Sequence, residues 1–509
     1  MASNMTSVPT ISREPGRTLS HDKDPELADE KAVFEQVEQA GDYGAEIDPQ
    51  AEKRLLRKLD FIILPQVTLL FLLNFIDRSA IGNANVAGFS KDVKLSESKN
   101  EYNIALMVFY VFYIIAEVPS NLILKRVGTR WLSILAVGFG AVTIGSAWVQ
   151  NFGDFLAVRI FLGIFEGGVI PGIAFVMTTF YKRSELAFRI GVFLSLGPGL
   201  SGAFGGLLAA GLLKHPYAGL HSWQRIFVLE GILTTCVGVV TFFTLPGAPS
   251  KTRWLTDAER ELAVRRLEIE HLGRTEEKTS RKAVIKALLN PFTWACTLAY
   301  GFINVIVQGT SIFLPTILKG LGNYTVIETQ LRSVPPYIVS AVWAVVTSYF
   351  AWKTGRHGIF VACSTSLSVV GYIMFLASTN PQVLYGASFL TFTGALPCGP
   401  FFLAWATANA GNPVARAVTS AIVPSFGSWG SIVCTWLYLR KYAPRYKPGN
   451  IFNLISCSCA IAISLGLTFY VRWENRQRDL GRRDYRVEGK TEEEIRELGY
   501  RHPEYRLKE

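Results

Sequence analysis

Apolar runs long enough to cross a lipid bilayer recur along this chain, separated by short polar turns. A helix needs about 20 predominantly apolar residues to span a hydrocarbon core of roughly 30 Å. Twelve runs meet that requirement, and we place them at about 60–81, 102–124, 131–149, 154–180, 187–213, 225–245, 292–318, 330–352, 358–378, 383–408, 415–439 and 451–473. The pattern therefore predicts an all-α membrane protein with twelve transmembrane helices.

One long polar loop divides the twelve spans six and six. Within it, Thr256 and Glu259 have the spacing of a capping box, which predicts an amphipathic helix. The first 50 residues are rich in Ser, Pro, Glu and Asp without apolar periodicity, and we expect them to be disordered. The predicted organisation is a disordered segment (1–50), a six-helix bundle (51–245), a linker with its helix (246–291), a second six-helix bundle (292–473) and a charged tail (474–509).

Basic residues are concentrated in alternate loops, and this sets the predicted orientation. Cytoplasmic loops of membrane proteins carry an excess of Lys and Arg. Four basic residues between positions 53 and 58 precede the first span, whereas the loops at 149–154 and 379–383 have none. Both termini are therefore predicted to be cytoplasmic. The last external loop, with its basic residues at 440–447, departs from the rule, and a glycosylation sequon begins at Asn323 in another predicted external loop.

Composition supports a membrane protein and excludes several other classes. Half of the 509 residues are apolar, and the net charge of +11 comes from loops and chain ends, so it does not indicate nucleic-acid binding. The seven cysteines lie in apolar runs without metal-ligand spacing, and we interpret them as small buried hydrophobic residues. We find no phosphate-binding glycine loop, histidine cluster or nucleophile arrangement. We therefore expect a lipid-embedded monomer with no enzymatic activity, cofactor, metal or nucleic-acid partner.

Two of the predicted spans each contain an acid and a base. Asp77 and Arg78 close the first span, and Arg159 and Glu166 lie in the fourth. A charge near the bilayer centre costs about 2.5–3.5 kcal/mol on insertion scales, so two acids and two bases indicate mutual pairing around a water-filled cavity. Arg159, Gly163 and Glu166 stand at i, i+4 and i+7, which puts them on one helix face.

The chemistry of these four side chains suggests a division of roles. Arg78 keeps its charge at physiological pH and presents a planar fork that suits a carboxylate, so it is the predicted substrate anchor, with Arg159 beside it. Asp77 and Glu166 can gain and lose protons as their surroundings change, and they are the predicted proton-coupling residues. The alternative is that the four side chains only form two ion pairs that hold the first and fourth spans together.

Other polar or aromatic side chains are candidates for contact with the rest of a substrate. They lie on spans two, seven and ten: Tyr110, Tyr113, Asn304, Gln308, Trp405 and Asn409. Interhelical packing is an equally good interpretation of each, because polar residues often join membrane helices. No basic residue lies in the middle of spans seven to twelve, which favours a substrate with a single anionic group. Glu117, near the cytoplasmic end of span two, is interpreted as part of a gate.

A faint internal repeat relates the two halves. Basic, glycine-containing turns follow the second span of each half: Lys125-Arg126-Val127-Gly128-Thr129-Arg130 and Lys353-Thr354-Gly355-Arg356-His357. Parallel six-helix repeats of this kind are common in secondary transporters. The turns therefore predict two related bundles.

These features together resemble the major facilitator superfamily. More narrowly, the chain resembles its anion:cation symporter family in the stretches Asp77-Arg78, Pro119-Ser120-Asn121-Leu122-Ile123-Leu124-Lys125-Arg126, Arg159 to Gly167, and Trp405 to Asn409 followed by Arg416. Within that family the fungal allantoate, nicotinate and pantothenate permeases are most similar, over about residues 50–475.

The resemblance implies proton-coupled uptake of a small organic monocarboxylate, such as nicotinate, pantothenate or allantoate, across the plasma membrane. It also implies that the turn after span two takes part in gating, through Lys125, Arg126, Gly128 and Arg130. The acidic residue usual in that turn is replaced here by Lys125. An acid-based gating contact is therefore not expected.

Two other functions fit the same pattern of spans. An antiporter that extrudes drugs or metabolites would share the fold, but it would usually show a cleaner glycine–proline motif in span five than Gly197-Pro198-Gly199. A membrane nutrient sensor that binds without transporting would usually carry a long folded cytoplasmic extension, and neither terminus is long here. Uptake is the function that we expect.

Overall fold

The computed structural model describes residues 47–214, 219–272, 281–322, 324–491, 494–495 and 498–509. The predicted disordered segment lies outside the described residues up to position 46, and so does the sequon residue Asn323. The described part contains helices and no strands. Its helices of eight or more residues are α1 (Pro49–Val86), α2 (Glu101–Val127), α3 (Arg130–Gly145), α4 (Phe152–Glu166), α5 (Val169–Phe180), α6 (Arg183–Lys214), α7 (Ser222–Thr244), α8 (Asp257–Leu272), α9 (Arg281–Leu288), α10 (Pro291–Leu321), α11 (Val326–Thr354), α12 (His357–Ala377), α13 (Pro381–Ala395), α14 (Cys398–Ala408), α15 (Pro413–Gly427), α16 (Trp429–Leu437) and α17 (Lys447–Asp479).

Apart from α8 and α9, which lie in the central loop, these helices make twelve passages, and each passage overlaps one of the twelve predicted spans. Eleven passages in the described part are long and apolar enough to cross a membrane, and the 32-residue helix α6 makes the remaining passage. Three passages consist of two helices in succession: α4 with α5, α13 with α14, and α15 with α16. The all-α architecture that the hydropathy pattern predicts is confirmed.

The first helix begins well before its predicted start at about position 60. Asp48 caps it, because the carboxylate accepts hydrogen bonds from two backbone N–H groups of the first turn at 2.9 and 3.3 Å. Pro49 takes the first helical position, where its missing N–H is not needed. The additional turns are charged and pair with the linker, since Lys58 Nζ lies 2.6 Å from Glu259 Oε2. Hydropathy misses these turns because they lie outside the apolar run.

The internal repeat is visible at equivalent places in the two halves. Gly128 caps α2 and Gly355 caps α11, with φ of 78° and 66°. Residues with a side chain rarely adopt a positive backbone φ, whereas glycine does so without strain, so glycine ends both helices. The fourth passage of each half is also interrupted, after Glu166 and after Ala395. Matching turns and matching breaks are typical of duplicated transporter halves.

The helix predicted in the central loop is present as α8, and it packs against the first half. Its capping box forms, with the Thr256 N–H donating to Glu259 Oε2 at 2.9 Å and the Glu259 N–H donating to Thr256 Oγ1 at 3.3 Å. Arg266 is fully buried and donates to Glu185 Oε2 at 2.7 Å and to the Phe180 carbonyl at 3.1 Å. The face of the molecule that carries α8 and the start of α1 is called the linker face below, and the opposite face is the far face.

The two halves meet along α2, and three of the hydrogen bonds that join α2 to the second half stand in one row. Their donors and acceptors on α2 stand seven residues apart and so lie on one helix face. The bonds are Asn103 Nδ2 to the Thr435 carbonyl at 2.5 Å, the Tyr110 hydroxyl to Gln308 Oε1 at 3.1 Å, and the Ser425 hydroxyl to Glu117 Oε1 at 2.9 Å. The stripe runs from the far face toward the linker face.

Glycines allow the halves to approach closely. A Cβ at Gly82 of α1 would lie 2.0 Å from the Ile312 carbonyl oxygen on α10, and one at Gly202 of α6 would lie 2.4 Å from the Tyr337 ring on α11. Real Cβ atoms do not approach other atoms so closely, so only glycine fits. As a result α1 is buried on every side from residue 73 to residue 84. This stretch includes the two charged residues that end the first predicted span.

Candidate functional site

An ion pair between the first and fourth passages forms the centre of the candidate site. Arg78 Nε lies 3.0 Å from Glu166 Oε2, and Asn74 Nδ2 donates to the same oxygen at 3.1 Å. The Arg78 side chain is 5% exposed and that of Glu166 is 0% exposed. Charge-assisted hydrogen bonds are strong in such a dry environment. The structure therefore brings together two of the four predicted charged residues as a direct pair.

Aromatic rings enclose the Arg78 guanidinium. Its Cζ lies 4.6 Å from the ring centroid of Tyr113, 5.1 Å from that of Phe75 and 5.8 Å from that of Phe109. Ring faces attract a cation at these distances. Tyr113, a predicted substrate contact, thus also holds Arg78 in position. A Cβ at Gly163 of α4 would lie 2.6 Å from the Phe109 carbonyl oxygen, so glycine is needed for this packing.

Asp77 lies beside the ion pair, as an electrostatic neighbour of Glu166. The Thr143 hydroxyl donates to Asp77 Oδ1 at 2.6 Å. Asp77 Oδ2 and Glu166 Oε1 have no hydrogen-bond partner among the described residues, and the two carboxyls are electrostatic neighbours. Two neighbouring carboxylates repel unless one of them holds a proton. One of the two is therefore suited to hold a proton.

Arg159 differs from Arg78 because no carboxylate in the described part of the chain forms an ion pair with it. The side chain is buried, its Nε has no hydrogen-bond partner there, and its Cζ lies 5.2 Å from the ring centroid of Phe155. Asp77 and Glu166 act on it only as electrostatic neighbours. A buried guanidinium without a direct counter-ion is costly. Arg159 therefore suits an incoming carboxylate better than Arg78 does.

A third buried carboxyl, Glu230 on α7, adjoins the cluster and is absent from the predicted site residues. It is 2% exposed, and neither carboxyl oxygen has a hydrogen-bond partner among the described residues. Asp77 is its electrostatic neighbour. The signal was present in the sequence, because Glu230 is the one acid in the apolar run at about 225–245. The rule that marks Asp77 as functional applies equally to it.

Two of the predicted substrate contacts meet at the boundary between the halves. The Tyr110 hydroxyl donates to Gln308 Oε1 at 3.1 Å, and both side chains are buried. Tyr110 is also an electrostatic neighbour of the two buried arginines. Asn304 bonds within the second half instead, since its Nδ2 donates to Ser431 Oγ at 2.9 Å. It braces the break between α15 and α16.

Trp405 and Asn409, two predicted substrate contacts, bond to the end of the chain in this structure. Trp405 Nε1 and Asn409 Nδ2 both donate to the Lys508 carbonyl, at 2.8 and 3.0 Å, and the Lys508 N–H donates to Asn409 Oδ1 at 2.8 Å. These residues therefore hold the tail, residues 480–509, against the end of α14 at the linker face. A contact between residues about 100 positions apart leaves no trace in span hydropathy.

Glu509 completes the attachment of the tail. Its carboxylate accepts from Arg472 Nε at 2.9 Å and from Arg472 Nη2 at 2.8 Å, while Arg356 Nε lies 3.7 Å away. The hydrogen bonds from Arg472 hold the pKa of the Glu509 carboxyl below its usual value. The Glu509 carbonyl also accepts from the His357 backbone N–H at 2.7 Å. The tail thus contacts the basic turn that caps α11.

The predicted gating turn lies at the linker face, between α2 and α3. Thr129 is fully buried and its hydroxyl donates to the Pro246 carbonyl at 3.0 Å, which docks the turn onto the end of α7. Arg130 Cζ lies 5.9 Å from the Phe242 ring centroid. The Lys125 side chain lies outside the described residues. Gating by this turn stays a prediction.

A cavity of about 410 Å³ lies between the halves on the far-face side. Its lining includes three bases, two acids and an aromatic residue: Lys91, Lys319, Arg440, Glu97, Glu101 and Tyr102. Tyr102 is an electrostatic neighbour of Arg159. Tyr102 is thus the lining residue that adjoins the neighbourhood of Arg159.

The buried cluster combines guanidiniums, a type of group that suits anions, with carboxyls, a type of group that can hold protons. In the described residues no group of three or more His, Cys, Asp or Glu side chains has an arrangement that could hold a metal ion.

Twelve helical passages in two related halves, with charges buried at their centre, define a membrane transporter. A model of the Major Facilitator Superfamily matches residues 67–435. The chain belongs to this superfamily.

Similar proteins of known sequence are also transporters. The chain is 32% identical over 437 residues to "Uncharacterized transporter C1039.04" of Schizosaccharomyces pombe, covering 85% of each protein. It is 32% identical over 440 residues to "MFS-type transporter efuF" of Hormonema carpetanum, covering 85% of this chain and 88% of that one. It is 30% identical over 482 residues to "Major facilitator-type transporter hxnP" of Emericella nidulans, covering 92% and 95%. The protein is therefore a transporter and not an enzyme.

Solved structures agree with the fold. The proton:xylose symporter XylE bound to 6-bromo-6-deoxy-D-glucose matches with a TM-score of 0.64 at 18% identity, over 80% of this chain and 95% of that one. A bacterial homologue of the human lysosomal transporter Spinster, in an inward-facing conformation, matches with a TM-score of 0.61 at 16% identity, over 82% and 98%. The predicted fold class is confirmed.

Proposed function

We propose that this transporter takes up a small organic monocarboxylate together with a proton. The supporting observation is the buried cluster of two guanidiniums and three carboxyls in the first half: Arg78, Arg159, Asp77, Glu166 and Glu230. Permanently charged guanidiniums suit an anion, and titratable carboxyls suit a proton. The resemblance of these stretches to the anion:cation symporter family supports the same function.

The charges of the cluster relate anion binding to proton binding. With every group ionised, three negative charges face two positive ones, so one proton makes the cluster neutral. Net charge is costly in a dry interior. A bound monocarboxylate adds one negative charge, and a second proton restores neutrality. Binding one anion thus takes up one proton, and the loaded and empty sites carry the same net charge.

This count predicts electroneutral transport driven by the pH gradient alone. Each unit of pH difference supplies about 1.4 kcal/mol, which supports roughly tenfold accumulation of the anion. A further proton per cycle would move charge and add about 2.3 kcal/mol per 100 mV of membrane potential. Substrate-evoked current therefore separates the two stoichiometries.

Arg159 is the proposed substrate anchor, and Arg78 is the fixed counter-charge of Glu166. Arg78 is the anchor predicted from the sequence, but its Nε already forms the 3.0 Å ion pair with Glu166. Because one guanidinium is left without a direct partner, a substrate with one carboxylate fits better than a dicarboxylate. Tyr110 and Gln308, at the boundary between the halves, are placed to contact the remainder of a substrate such as nicotinate, pantothenate or allantoate.

The proposed route enters from the far face. The described lining of the cavity there holds more bases than acids, which favours entry of an anion, and its Tyr102 is an electrostatic neighbour of Arg159. We propose that the linker face is cytoplasmic, because the basic loops cluster on it, and that the membrane is the plasma membrane, as in the family that the chain resembles. Both termini would then be cytoplasmic.

The direct test is uptake by the purified protein in liposomes. With the outside about two pH units more acidic than the inside, labelled nicotinate should accumulate, and a protonophore should abolish accumulation. Unlabelled monocarboxylates should compete, whereas a dicarboxylate and a neutral sugar should not. An Arg159→Gln variant should take up much less substrate at concentrations below the wild-type KM, and Lys441→Gln, which neutralises an exposed far-face cation, should not.

Two results would overturn this function. Competition by sugars or cations but not by any monocarboxylate would remove the substrate class. The second result is substrate that moves faster in the direction opposite to proton flow than in the same direction. The protein would then be a proton-driven efflux antiporter, the alternative that shares this fold.

A further inference from the structure

A second cavity, of about 710 Å³, lies at the linker face between the tail and the ends of α10 and α17. Its lining is apolar where it meets the helices, through Phe292, Ala295 and Leu467. Where it meets the tail the lining is strongly basic. A cavity with one apolar and one cationic side suits an amphipathic anion.

Among the described residues, the cavity is lined by more cations than acids. Four bases of the described part line it, and they are Arg478, Arg486, Lys490 and Arg501. The one carboxylate among the described lining residues is Glu474, which is 2% exposed and already bonded to arginines. Its Oε1 lies 3.0 Å from Arg486 and 3.3 Å from Arg478, and its Oε2 lies 2.6 Å from Arg483. Glu474 thus organises the arginines but leaves a positive excess.

Two of the basic side chains are available to a ligand. Lys490 and Arg501 are exposed, and neither forms an ion pair with a residue in the described part of the chain. Arg501 Nε contacts the neighbouring Tyr500 hydroxyl at 3.2 Å, which leaves its terminal nitrogens for another acceptor. Terminal guanidinium nitrogens beside an ammonium group are a common arrangement for holding phosphate oxygens.

Aromatic residues place the cavity at the level of lipid head groups. Tyr470 and Trp473 on α17 are 40% and 45% exposed, and Trp294 on α10 is 41% exposed. Tyr and Trp collect at the membrane interface. One turn deeper in the bilayer, Phe469 and Leu298 are 73% and 47% exposed. Acyl chains can lie against these apolar side chains while a head group reaches the bases.

We propose that this cavity binds the phosphorylated head group of an anionic membrane lipid. Arg486, Lys490 and Arg501 contact the phosphate, and the acyl chains run along α10 and α17. Basic pockets beside transmembrane helices recognise anionic head groups in this way. Because the same tail bonds to Trp405 and Asn409 through Lys508, a bound lipid would fix the tail to both the bundle and the membrane.

The experiment compares lipid retention by the full-length protein and by a Lys490→Gln/Arg501→Gln variant. Both are purified in detergent and titrated with phosphatidylinositol 4-phosphate or phosphatidylcholine, and bound lipid is counted by native mass spectrometry. The wild type should retain the anionic lipid and not phosphatidylcholine. The double variant should bind it roughly 30-fold more weakly, because each cation near a phosphate surface contributes about a factor of five. Inorganic phosphate serves as the head group without chains, and it should displace the lipid only at far higher concentration.

Matched variants keep the result interpretable. Lys441→Gln/Arg445→Gln removes two exposed far-face cations and should retain the lipid fully, while Lys490→Arg/Arg501→Lys keeps the charge and should also retain it. Equal unfolding temperatures without lipid would show that the variants are folded. Undiminished binding by the Gln variant, equal retention of phosphatidylcholine, or equal affinity for inorganic phosphate would each overturn the lipid site.

Discussion

Arg78 and Glu166 form an ion pair of 3.0 Å in an interior where neither side chain is more than 5% exposed. Arg159 lies in the same charged cluster without such a partner in the described residues. From the sequence alone the two arginines cannot be distinguished by pairing, because both are bases inside apolar spans. The pairing separates them into a structural cation and an available one, and the two should respond differently to substitution.

The first prediction concerns stability. Arg78→Gln leaves Glu166 buried without its counter-ion, and losing one partner of a buried pair costs about 3–5 kcal/mol. Arg159→Gln removes a cation that has no direct ion pair, so the loss should be much smaller. Thermal unfolding of both variants in detergent, followed by tryptophan fluorescence, measures the difference. Equal losses would show that both arginines are structural.

The second prediction concerns the substrate anchor. Arg159→Gln should raise the substrate KM by about tenfold or more, because a charge-assisted hydrogen bond to the carboxylate is lost. Arg159→Lys keeps the charge but not the planar fork, so its KM should be intermediate. Uptake kinetics in liposomes give both values. An unchanged KM for Arg159→Gln would return the anchor to Arg78.

The third prediction follows from the charge of the cluster. In a Glu166→Gln/Glu230→Gln variant one carboxylate faces two guanidiniums, so a bound anion neutralises the site without a proton. Uptake by this variant should become independent of the pH gradient, and substrate entry should carry net negative charge. Exchange of labelled for unlabelled substrate at several pH values, with and without an imposed potential, measures this change.

Single variants provide the control for this prediction. Glu230→Gln leaves two carboxyls against two guanidiniums, and a bound anion then still requires one proton. Its uptake should stay coupled to the pH gradient. A double variant with the pH dependence of the wild type would contradict the charge count.

The fourth prediction separates tail binding from substrate binding at Trp405. Trp405→Phe removes the 2.8 Å hydrogen bond to the Lys508 carbonyl, which should weaken tail attachment by about 0.5–1.5 kcal/mol. Limited proteolysis should cut the tail faster, while the substrate KM stays the same. Trp148→Phe, at an indole that is 58% exposed on the far-face side, serves as the control. A raised KM with an intact tail would return Trp405 to the substrate site.

The fifth prediction is a pH dependence of tail attachment. Because the pKa of Glu509 is lowered by its bonds to Arg472, its contribution is fully present above the usual glutamate pKa of about 4.3 and is lost as pH falls through the lowered value. Hydrogen exchange of residues 505–509, corrected for the intrinsic rate, should rise only in that acidic range. Glu509→Gln should exchange faster at neutral pH, whereas Glu504→Gln at an exposed carboxyl should not.

Most of the fold follows from local pattern. Apolar runs of membrane length and the two glycines at positions 128 and 355 predict the passages and the repeat, because hydropathy and positive φ are properties of short segments. The early start of α1 at Pro49 is not predicted in this way. Its first turns are polar, and contacts with α8 such as that of Lys58 with Glu259 hold them.

The candidate site is predicted in part. The positions of Arg78, Arg159 and Glu166 inside apolar spans reveal a charged centre, and the same rule would have revealed Glu230. Which arginine is paired depends on how α1 and α4 pack, which sequence spacing does not determine. The contact of Trp405 with Lys508 is not predicted either, because the two residues lie 103 positions apart in the chain.

The row of Asn103, Tyr110 and Glu117 on α2 constrains how the two halves can separate. Because the three bonds lie in line along one helix, parting from the far face breaks the Asn103 bond first and the Tyr110 bond next. The bond between Glu117 and Ser425 can remain closed and serve as a pivot. The halves would then rock about a fixed point below the charged cluster, so that access alternates while the bilayer stays sealed.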